Sequence, residues 1–411
     1  MKKAKKGRKK SKKIFLILAA DLLLVALVLC GFCKYEYDHG LDMKGSEYVV
    51  TDLGQEYRDP GVRSSLAHVS NYVNVDVPGY YSVEYTLWDK KAIRRVHVVD
   101  PEQLVVGLKG SEVQIVRQGD PYVESGAFAI DRKRGAINSS KIRVSGKVNT
   151  DTPGEYTVKY TAYSGDVKRE KERTVKVVSG DDYKACEEVP VMMYHWIYSQ
   201  DDLPDVIDSN WIEDKVLEKH LEYLDQNDYY YPSWRELSAW IDGRISLPEK
   251  SIILTFDDGK KAFYEHGIPL FEKYGIPVTS FLICWEKNDA ENKIKDYASE
   301  YIDFENHSYA MHQPGYVPGH RGIIASMTKE EIGSDLRAAA MMTGNNDAFA
   351  YPYGDYTPEA QEALREQGIL CSFTTEYGKV LQGMDKTKLP RVRVESVLPY
   401  ETWLQSIGAA Q

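Results

Sequence analysis

The sequence predicts a multidomain chain with an N-terminal transmembrane helix, two small all-β sandwiches and a C-terminal α/β domain. Three observations predict this fold class. A basic head is followed by a long apolar run at the start of the chain. A tyrosine-rich segment with a Pro-Gly turn then occurs twice. From residue 189 onward, short apolar strands alternate with amphipathic helices, which is typical of a parallel sheet or a β/α barrel.

The first 33 residues predict a membrane anchor. Residues 1–13 carry nine Lys and Arg and no acid, so we expect a cytoplasmic tail. Residues 14–33 are apolar except for Asp21 and a glycine, and such a helix spans about 30 Å of hydrocarbon. A cleaved signal peptide is the alternative, although no small-x-small site follows. The expected location is the cell membrane of a Gram-positive bacterium, with a single pass and the C-terminal body outside the cell.

Charge and cysteine content exclude other classes of protein. The net charge is −10 even though the first segment is strongly basic, so nucleic acid is not an expected partner. Cys30 and Cys33 lie in the predicted anchor, and the other three cysteines are isolated, so we expect neither a disulfide framework nor a zinc–cysteine site. A single bridge among Cys186, Cys284 and Cys371 remains open.

Two copies of one pattern predict the β modules. Residues 76–86 read DVPGYYSVEYT and residues 151–161 read DTPGEYTVKYT, and each copy ends in an alternating strand. We expect one module over 45–100, a second over 104–178, and a polar linker over 179–188. Both resemble the immunoglobulin-like repeats of bacterial surface proteins, which implies a stalk.

The α/β domain is expected over 189–411, and each of its elements has a local signal. Apolar, β-branched runs predict strands, whereas a period of 3.6 residues with capping residues predicts helices. The strands are expected at 189–196, 251–256, 277–284, 301–306, 349–351, 369–374 and 391–394. The helices are expected at 214–226, 233–241, 260–274 and 328–342, and between Thr357 and Gly368.

Candidate catalytic and metal-binding residues follow two of these strands, at the strand ends where barrel enzymes place their active sites. Asp257 and Asp258 follow strand 251–256, and His307 and His312 follow strand 301–306. Residues five apart lie about 140° apart on a helix, so both imidazoles can face one ion only from a strand end and its loop. Two imidazoles and one carboxylate suit Zn²⁺ or another first-row divalent ion.

A third motif is the turn Tyr351-Pro-Tyr-Gly354, which can offer a backbone N–H to an oxyanion. The three motifs in this order resemble those of the NodB-homology polysaccharide deacetylases, carbohydrate esterase family 4, over about residues 186–411. The resemblance implies a distorted (β/α) barrel. It implies that Asp257 is the general base, that Asp258, His307 and His312 hold the metal, and that the N–H of Tyr353 binds the oxyanion.

Two departures point to one branch of that family. The histidines are five apart rather than four, and no histidine follows His320. Both features resemble the permuted poly-N-acetylglucosamine deacetylases, whose general acid is the histidine of a Pro-Val-x-x-Tyr-His strand. Here that strand is Pro190-Val-Met-Met-Tyr-His195, which makes His195 the candidate acid. Tyr309, Pro352 and Gly354 are candidates for substrate binding.

The expected function is hydrolysis of N-acetyl groups from an extracellular polysaccharide, with release of acetate. The substrate is expected to be a cell-surface polymer of N-acetylglucosamine, such as peptidoglycan or poly-N-acetylglucosamine. The expected cofactor is a divalent metal, zinc first, with cobalt or nickel as alternatives. Two rival functions remain, an esterase acting on O-acetyl groups and an inactive surface-binding or adhesion protein.

Overall fold

The computed structural model describes residues 23–100 and 103–409. The chain divides into two compact units, Met1–Val99 and Asp100–Gln411. The first unit holds one β module, and the second holds another β module together with the α/β domain.

The predicted membrane anchor is wrong. Residues 23–39 form a helix, α1, in which the charged residues Lys34, Glu36 and Asp38 follow the apolar stretch. Within 23–100 and 103–409, no helix has the combined length and apolarity that crossing a membrane requires. The transmembrane helix over 14–33 is therefore not supported, nor are the membrane partner and the single-pass localisation. The predicted tail over 1–13 and residues 14–22 lie outside the described residues.

The first module is one four-stranded sheet rather than the predicted sandwich, as far as residues 23–100 are concerned. Its sheet order is β1-β4-β3-β2, with β1 parallel to β4 and the other pairs antiparallel. The core residues Val83, Tyr85 and Val96 are covered by side chains from irregular segments on either side of Val62. Those segments take the place of a second sheet. The strands are β1 (Tyr48–Asp52), β2 (His68–Asn71), β3 (Gly79–Leu87) and β4 (Lys90–Val99).

The second module is a sandwich of two sheets, ordered β5-β7-β8 and β6-β11-β10-β9. The tyrosine stripe lies in its core, as Tyr160 is fully buried against Val158 and Val175. The strands are β5 (Leu104–Leu108), β6 (Val113–Arg117), β7 (Ala127–Asp131), β8 (Gly135–Ile137), β9 (Arg143–Ser145), β10 (Gly154–Ser164) and β11 (Val167–Val178).

Seven parallel strands form a closed barrel in the α/β domain, in the order β12-β15-β16-β17-β18-β19-β20. Two short strands, β13 and β14, pair outside the barrel. The strands are β12 (Val191–Tyr194), β13 (Trp196–Tyr198), β14 (Trp211–Glu213), β15 (Ile253–Asp258), β16 (Val278–Leu282), β17 (Ile302–Asn306), β18 (Ala348–Ala350), β19 (Cys371–Tyr377) and β20 (Leu389–Arg393).

Helices surround the barrel, and their ends follow the cap chemistry of the sequence. Ser233 and Thr328 each form a capping box with the glutamate three residues later, and Gly344 ends a helix in the left-handed conformation. The helices are α2 (Asp214–Gln226), α3 (Trp234–Ile241), α4 (Lys261–Tyr274), α5 (Ala290–Asp296), α6 (Lys329–Thr343), α7 (Pro358–Glu366) and α8 (Tyr400–Ser406). The cysteines of the described residues are all free, so the structure contains no bridge among Cys186, Cys284 and Cys371.

Within the second unit, a buried lysine joins the β module to the barrel. Lys109, which follows β5, is 1% exposed and lies 2.6 Å from Asp347, 3.1 Å from Glu305 and 3.7 Å from Asp303. Burial opposes the charge of Lys109, but the three carboxylates outweigh it and raise its pKa. The β module therefore supplies a positive charge to the acidic side chains of β17 and to Asp347.

Candidate active site

Asp258 is the last residue of β15, at the end of the barrel where parallel strands place catalytic groups. Its backbone is left-handed, with φ of 73°, and Gly259 follows with φ of 69°. A Cβ atom at position 259 would collide with the side chain of Leu282 and lie 2.8 Å from the hydroxyl of Tyr264. The Asp-Asp-Gly motif is thus a tight turn that requires glycine.

His307 follows β17 directly and is 2% exposed. Its backbone N–H donates to the carbonyl of Leu282, at 3.1 Å. Its Nδ1 lies 2.8 Å from the carbonyl oxygen of Ala350, an acceptor, so Nδ1 carries the proton. In the neutral ring, this tautomer leaves a lone pair on Nε2, the arrangement that metal-binding histidines adopt. Burial disfavours the protonated ring, but the hydrogen bond to Asp258 outweighs it and raises the pKa of His307.

The loop after His307 carries His312 back to the same place. Ser308 has φ of 72°, and the backbone N–H groups of Tyr309 and Ala310 donate to the carboxylate of Asp335 at 2.6 and 2.7 Å. Asp335 belongs to α6, so that helix fixes the loop. The expectation that the two histidines lie at a strand end and in its loop is confirmed.

The three side chains converge on one point. Oδ1 of Asp258 lies 3.5 Å from Nε2 of His307 and 3.4 Å from Nε2 of His312. All three ligand atoms lie within 4.8 Å of one another. Ligand atoms about 2.1 Å from a tetrahedral ion are about 3.4 Å apart, so this donor set fits a small divalent cation such as Zn²⁺.

The charges of the cluster reflect its burial. Burial opposes ionisation of Asp258, but the hydrogen bond from His307 and the nearby histidines hold its pKa well below the usual range. Burial, together with His307, lowers the pKa of His312 to about 4. At neutral pH the cluster is thus a carboxylate beside a neutral imidazole of His312, both in the form that binds a metal.

Asp257 lies one residue before Asp258 and is held by a buried arginine. Arg391, on β20, donates from Nη1 to Oδ1 at 2.7 Å and from Nη2 to Oδ2 at 2.6 Å. Asp257 is 3% exposed and Arg391 is fully buried. Burial would raise the pKa of Asp257, but Arg391 outweighs it and holds the pKa below its usual value. Asp257 is therefore an ionised, oriented carboxylate.

His195 follows β12 at the same end of the barrel. It is half-buried, and its Nδ1 is buried without a hydrogen-bond partner among the described residues. Burial holds its pKa below the usual value, although the negative charges of Asp257 and Asp258 oppose that shift. The structure therefore brings His195 into the electrostatic field of both carboxylates.

The turn at residues 352–354 borders the cluster of Asp258, His307 and His312. Tyr353 has φ of 59°, and its ring centroid lies 4.6 Å from that of His312. Gly354 has φ of 75°, and a Cβ there would clash with Thr375, so only glycine fits. Pro352 is buried under the turn, whereas Tyr309 is half-buried in the histidine loop.

Two residues of this site were not predicted from the sequence as such, Arg391 and Trp196. The available signal for Arg391 was a charge inside the apolar run Leu389-Pro-Arg-Val392, because a buried charge in a barrel strand needs a partner. The indole Nε1 of Trp196 donates to Oδ2 of Asp258 at 3.0 Å. The sequence contains no signal for that contact.

Comparison with protein-family models identifies two parts of the chain. Residues 244–371 match the family described as polysaccharide deacetylase. Residues 106–177 match the family described as bacterial surface protein, Ig-like domain. The chain therefore contains a polysaccharide deacetylase domain and a bacterial Ig-like domain. The predicted enzyme class, a polysaccharide N-deacetylase, is confirmed.

Individual relatives agree with this class. The chain is 26% identical over 215 residues to YxkH of Bacillus subtilis, whose name places it among polysaccharide deacetylases; the match covers 50% of this chain and 71% of YxkH. It is 24% identical over 227 residues to the poly-beta-1,6-N-acetyl-D-glucosamine N-deacetylase of Staphylococcus epidermidis, covering 49% of this chain and 78% of the relative.

A solved structure is also similar, the Streptococcus pyogenes deacetylase PplD in complex with acetate. The identity is 20%, with 54% of this chain and 98% of PplD covered, and the TM-score is 0.46.

Proposed function

We propose that this protein hydrolyses N-acetyl groups of a cell-surface polysaccharide made of N-acetylglucosamine and releases acetate. The observation that carries the proposal is the Asp258, His307 and His312 cluster, with the ionised carboxylate of Asp257 beside it. The polymer is suggested by the name of the Staphylococcus epidermidis relative. A location at the cell surface is supported by the match to Ig-like domains of bacterial surface proteins.

The proposed cofactor is a divalent cation, zinc first, held by Asp258, His307 and His312. Bound there, such an ion would supply Lewis-acid catalysis and would lower the pKa of a bound water molecule toward neutrality. The residues of the chain supply the remaining groups. Arg391 keeps Asp257 ionised and fixes its two oxygens, so Asp257 is able to accept a proton.

In the proposed reaction, water adds to the acetamide carbonyl carbon and its proton passes to Asp257. The backbone N–H of Tyr353 stabilises the negative charge that develops on the carbonyl oxygen. Protonated His195 donates a proton to the nitrogen as the C–N bond breaks. The products are acetate and a free amino sugar. The role of His195 as general acid is proposed because its strand resembles the Pro-Val-x-x-Tyr-His strand of the permuted branch of the family.

A panel of polymers tests the proposal. Purified full-length protein with added Zn²⁺ would be incubated with poly-N-acetylglucosamine, peptidoglycan, chitin oligomers and acetylxylan. Acetate and free amines would both be measured. We expect acetate and amine in equal amounts from at least one N-acetylglucosamine polymer. Acetate from acetylxylan alone would identify an O-acetyl esterase, and no release from any polymer would contradict a catalytic role.

A further inference from the structure

The indole of Trp196 contacts the candidate metal ligand Asp258. Its Nε1–H donates to Oδ2 of Asp258 at 3.0 Å, while the other oxygen, Oδ1, faces His307 and His312. The two oxygens of one carboxylate therefore have different partners. One is bound by a neutral donor, and the other is left for the ligand cluster.

We propose that Trp196 is a positioning residue that sets the affinity of this site for its cation. An indole N–H only donates, so it cannot compete with Asp258 for a cation. By binding Oδ2, it holds the carboxylate plane and presents Oδ1 as the single ligand atom. This inference rests on the proposed function, because it concerns the cation proposed for the same site.

The backbone of Trp196 is fixed by the small sheet outside the barrel. Strand β13 starts at Trp196 and pairs in parallel with β14, with Trp196 opposite Trp211. The backbone N–H of Trp196 donates to the carbonyl of Asn210 at 3.0 Å. The indole thus projects from a paired strand rather than from a free loop, and its position relative to Asp258 is defined.

The ring of Trp196 is also held by its neighbours. The ring of Trp211 lies 5.2 Å away at an angle of 69°, an edge-to-face contact. The ammonium of Lys260 lies 3.2 Å from the ring centroid of Trp196 and 4.9 Å from that of Trp211. A cation over a desolvated ring is attracted to it, so Lys260 holds the indole from one face. These contacts restrict the rotation of the indole whose N–H donates to Asp258.

The expected consequence is a change in metal affinity. Groups that orient a metal ligand typically contribute about 10-fold to 100-fold to affinity or activity. Trp196→Phe keeps an aromatic ring and removes only the N–H donor. We expect this change to weaken Zn²⁺ binding by about tenfold or more, because Oδ2 is then free to rotate away.

The test measures Zn²⁺ affinity of the full-length protein by competition with a chromophoric chelator, without substrate. Trp285→Phe is the matched control, since Trp285 is also half-buried with a lysine, Lys287, over its ring, and is not one of the three ligands. We expect the control to bind Zn²⁺ like the wild type. Trp196→Gln places an N–H donor three bonds from Cβ, as tryptophan does, and we expect it to bind Zn²⁺ more tightly than Trp196→Phe.

Each outcome supports or overturns the inference. Weaker binding in Trp196→Phe with partial recovery in Trp196→Gln supports it. Equal affinity in wild type and Trp196→Phe overturns it and leaves the proposed function intact. Equal losses in the Phe and Gln variants also overturn it, because packing rather than the N–H donor would then be responsible. A wild type that binds no Zn²⁺ would instead remove the metal centre from the proposed function, and this inference with it.

Discussion

At the scale of single residues, the pair of Asp257 and Arg391 decides whether a base is available. Both side chains are buried, and two hydrogen bonds join the guanidinium to the carboxylate. Burial alone would favour the protonated acid, and the arginine reverses that preference. The proposed base is thus ionised because of a residue on the strand that closes the barrel.

Replacing Arg391 by methionine should raise the pKa of Asp257, because burial remains while the cation is lost. The acid limb of kcat/KM should then move to higher pH, since Asp257 would be ionised only at higher pH. A buried carboxylate without its partner also costs about 3–5 kcal/mol of stability. Measuring kcat/KM for acetate release against pH checks the shift.

Arg393→Met is the matched control for that experiment. Arg393 lies two residues further along β20 and donates to Asn210 rather than to Asp257. Its replacement should leave the acid limb in place. An identical pH profile for wild type and Arg391→Met would show that Asp257 is not the group that titrates on that limb.

His195 is the proposed general acid, and its loss should affect turnover rather than metal binding. General acids contribute about 10²-fold to 10⁴-fold to rate, so His195→Ala should lower kcat by about 100-fold or more. Zn²⁺ affinity should change little, because His195 is not one of the three clustered residues proposed to hold the cation. Steady-state kinetics with a chelator-competition assay separates the two effects. A variant with full kcat would place the acid elsewhere.

At the scale of elements, strand β17 links the β module to the site. Asp303 and Glu305 of this strand face the buried Lys109, and His307 follows the strand directly. Burial raises the pKa of Glu305 to about 8 and that of Asp303 to about 6, although Lys109 opposes both shifts. Lys109 is therefore the cation that limits the cost of burying these acidic side chains.

Replacing Lys109 by methionine should therefore destabilise the second unit strongly. Removing one partner of a buried ion pair typically costs about 3–5 kcal/mol. Lys171→Met is the control, since Lys171 also joins the module to the barrel, through an exposed pair with Glu300 at 2.7 Å. Exposed pairs contribute about 0–1 kcal/mol. Thermal unfolding of both variants measures the difference, and equal unfolding temperatures would contradict the role of Lys109.

The sequence predicted the elements of the barrel better than those around it. The strands predicted at 251–256 and 301–306 correspond to β15 and β17, the first shifted by two residues along the chain. The capping boxes of α3 and α6, which also depend on local patterns, are present. The strand predicted at 189–196 is instead two strands, β12 and β13, which belong to different sheets. The chain leaves the barrel at His195 because the next residues pair with β14, where Trp211 lies opposite Trp196. No local sequence period reveals a partner strand fifteen residues away.

At the scale of the whole molecule, the site is assembled by closing the barrel. Asp257 and Asp258 come from β15, His307 from the end of β17, and Arg391 from β20. The motifs that contain Asp257, Asp258 and His307 could be recognised in the sequence. The pairing of Arg391 with Asp257 could not, because β20 meets β12 only when the seven strands close. Long-range closure, rather than local chemistry, limits prediction of the site.

Acetate release is expected to require a cation held by Asp258, His307 and His312. The most direct measurement is acetate release from an N-acetylglucosamine polymer by full-length protein after removal of metal with a chelator. We expect activity to disappear, to return with Zn²⁺ or Co²⁺, and to remain absent in Asp258→Asn at every Zn²⁺ concentration. Undiminished release by metal-free protein, or by Asp258→Asn, would contradict the account.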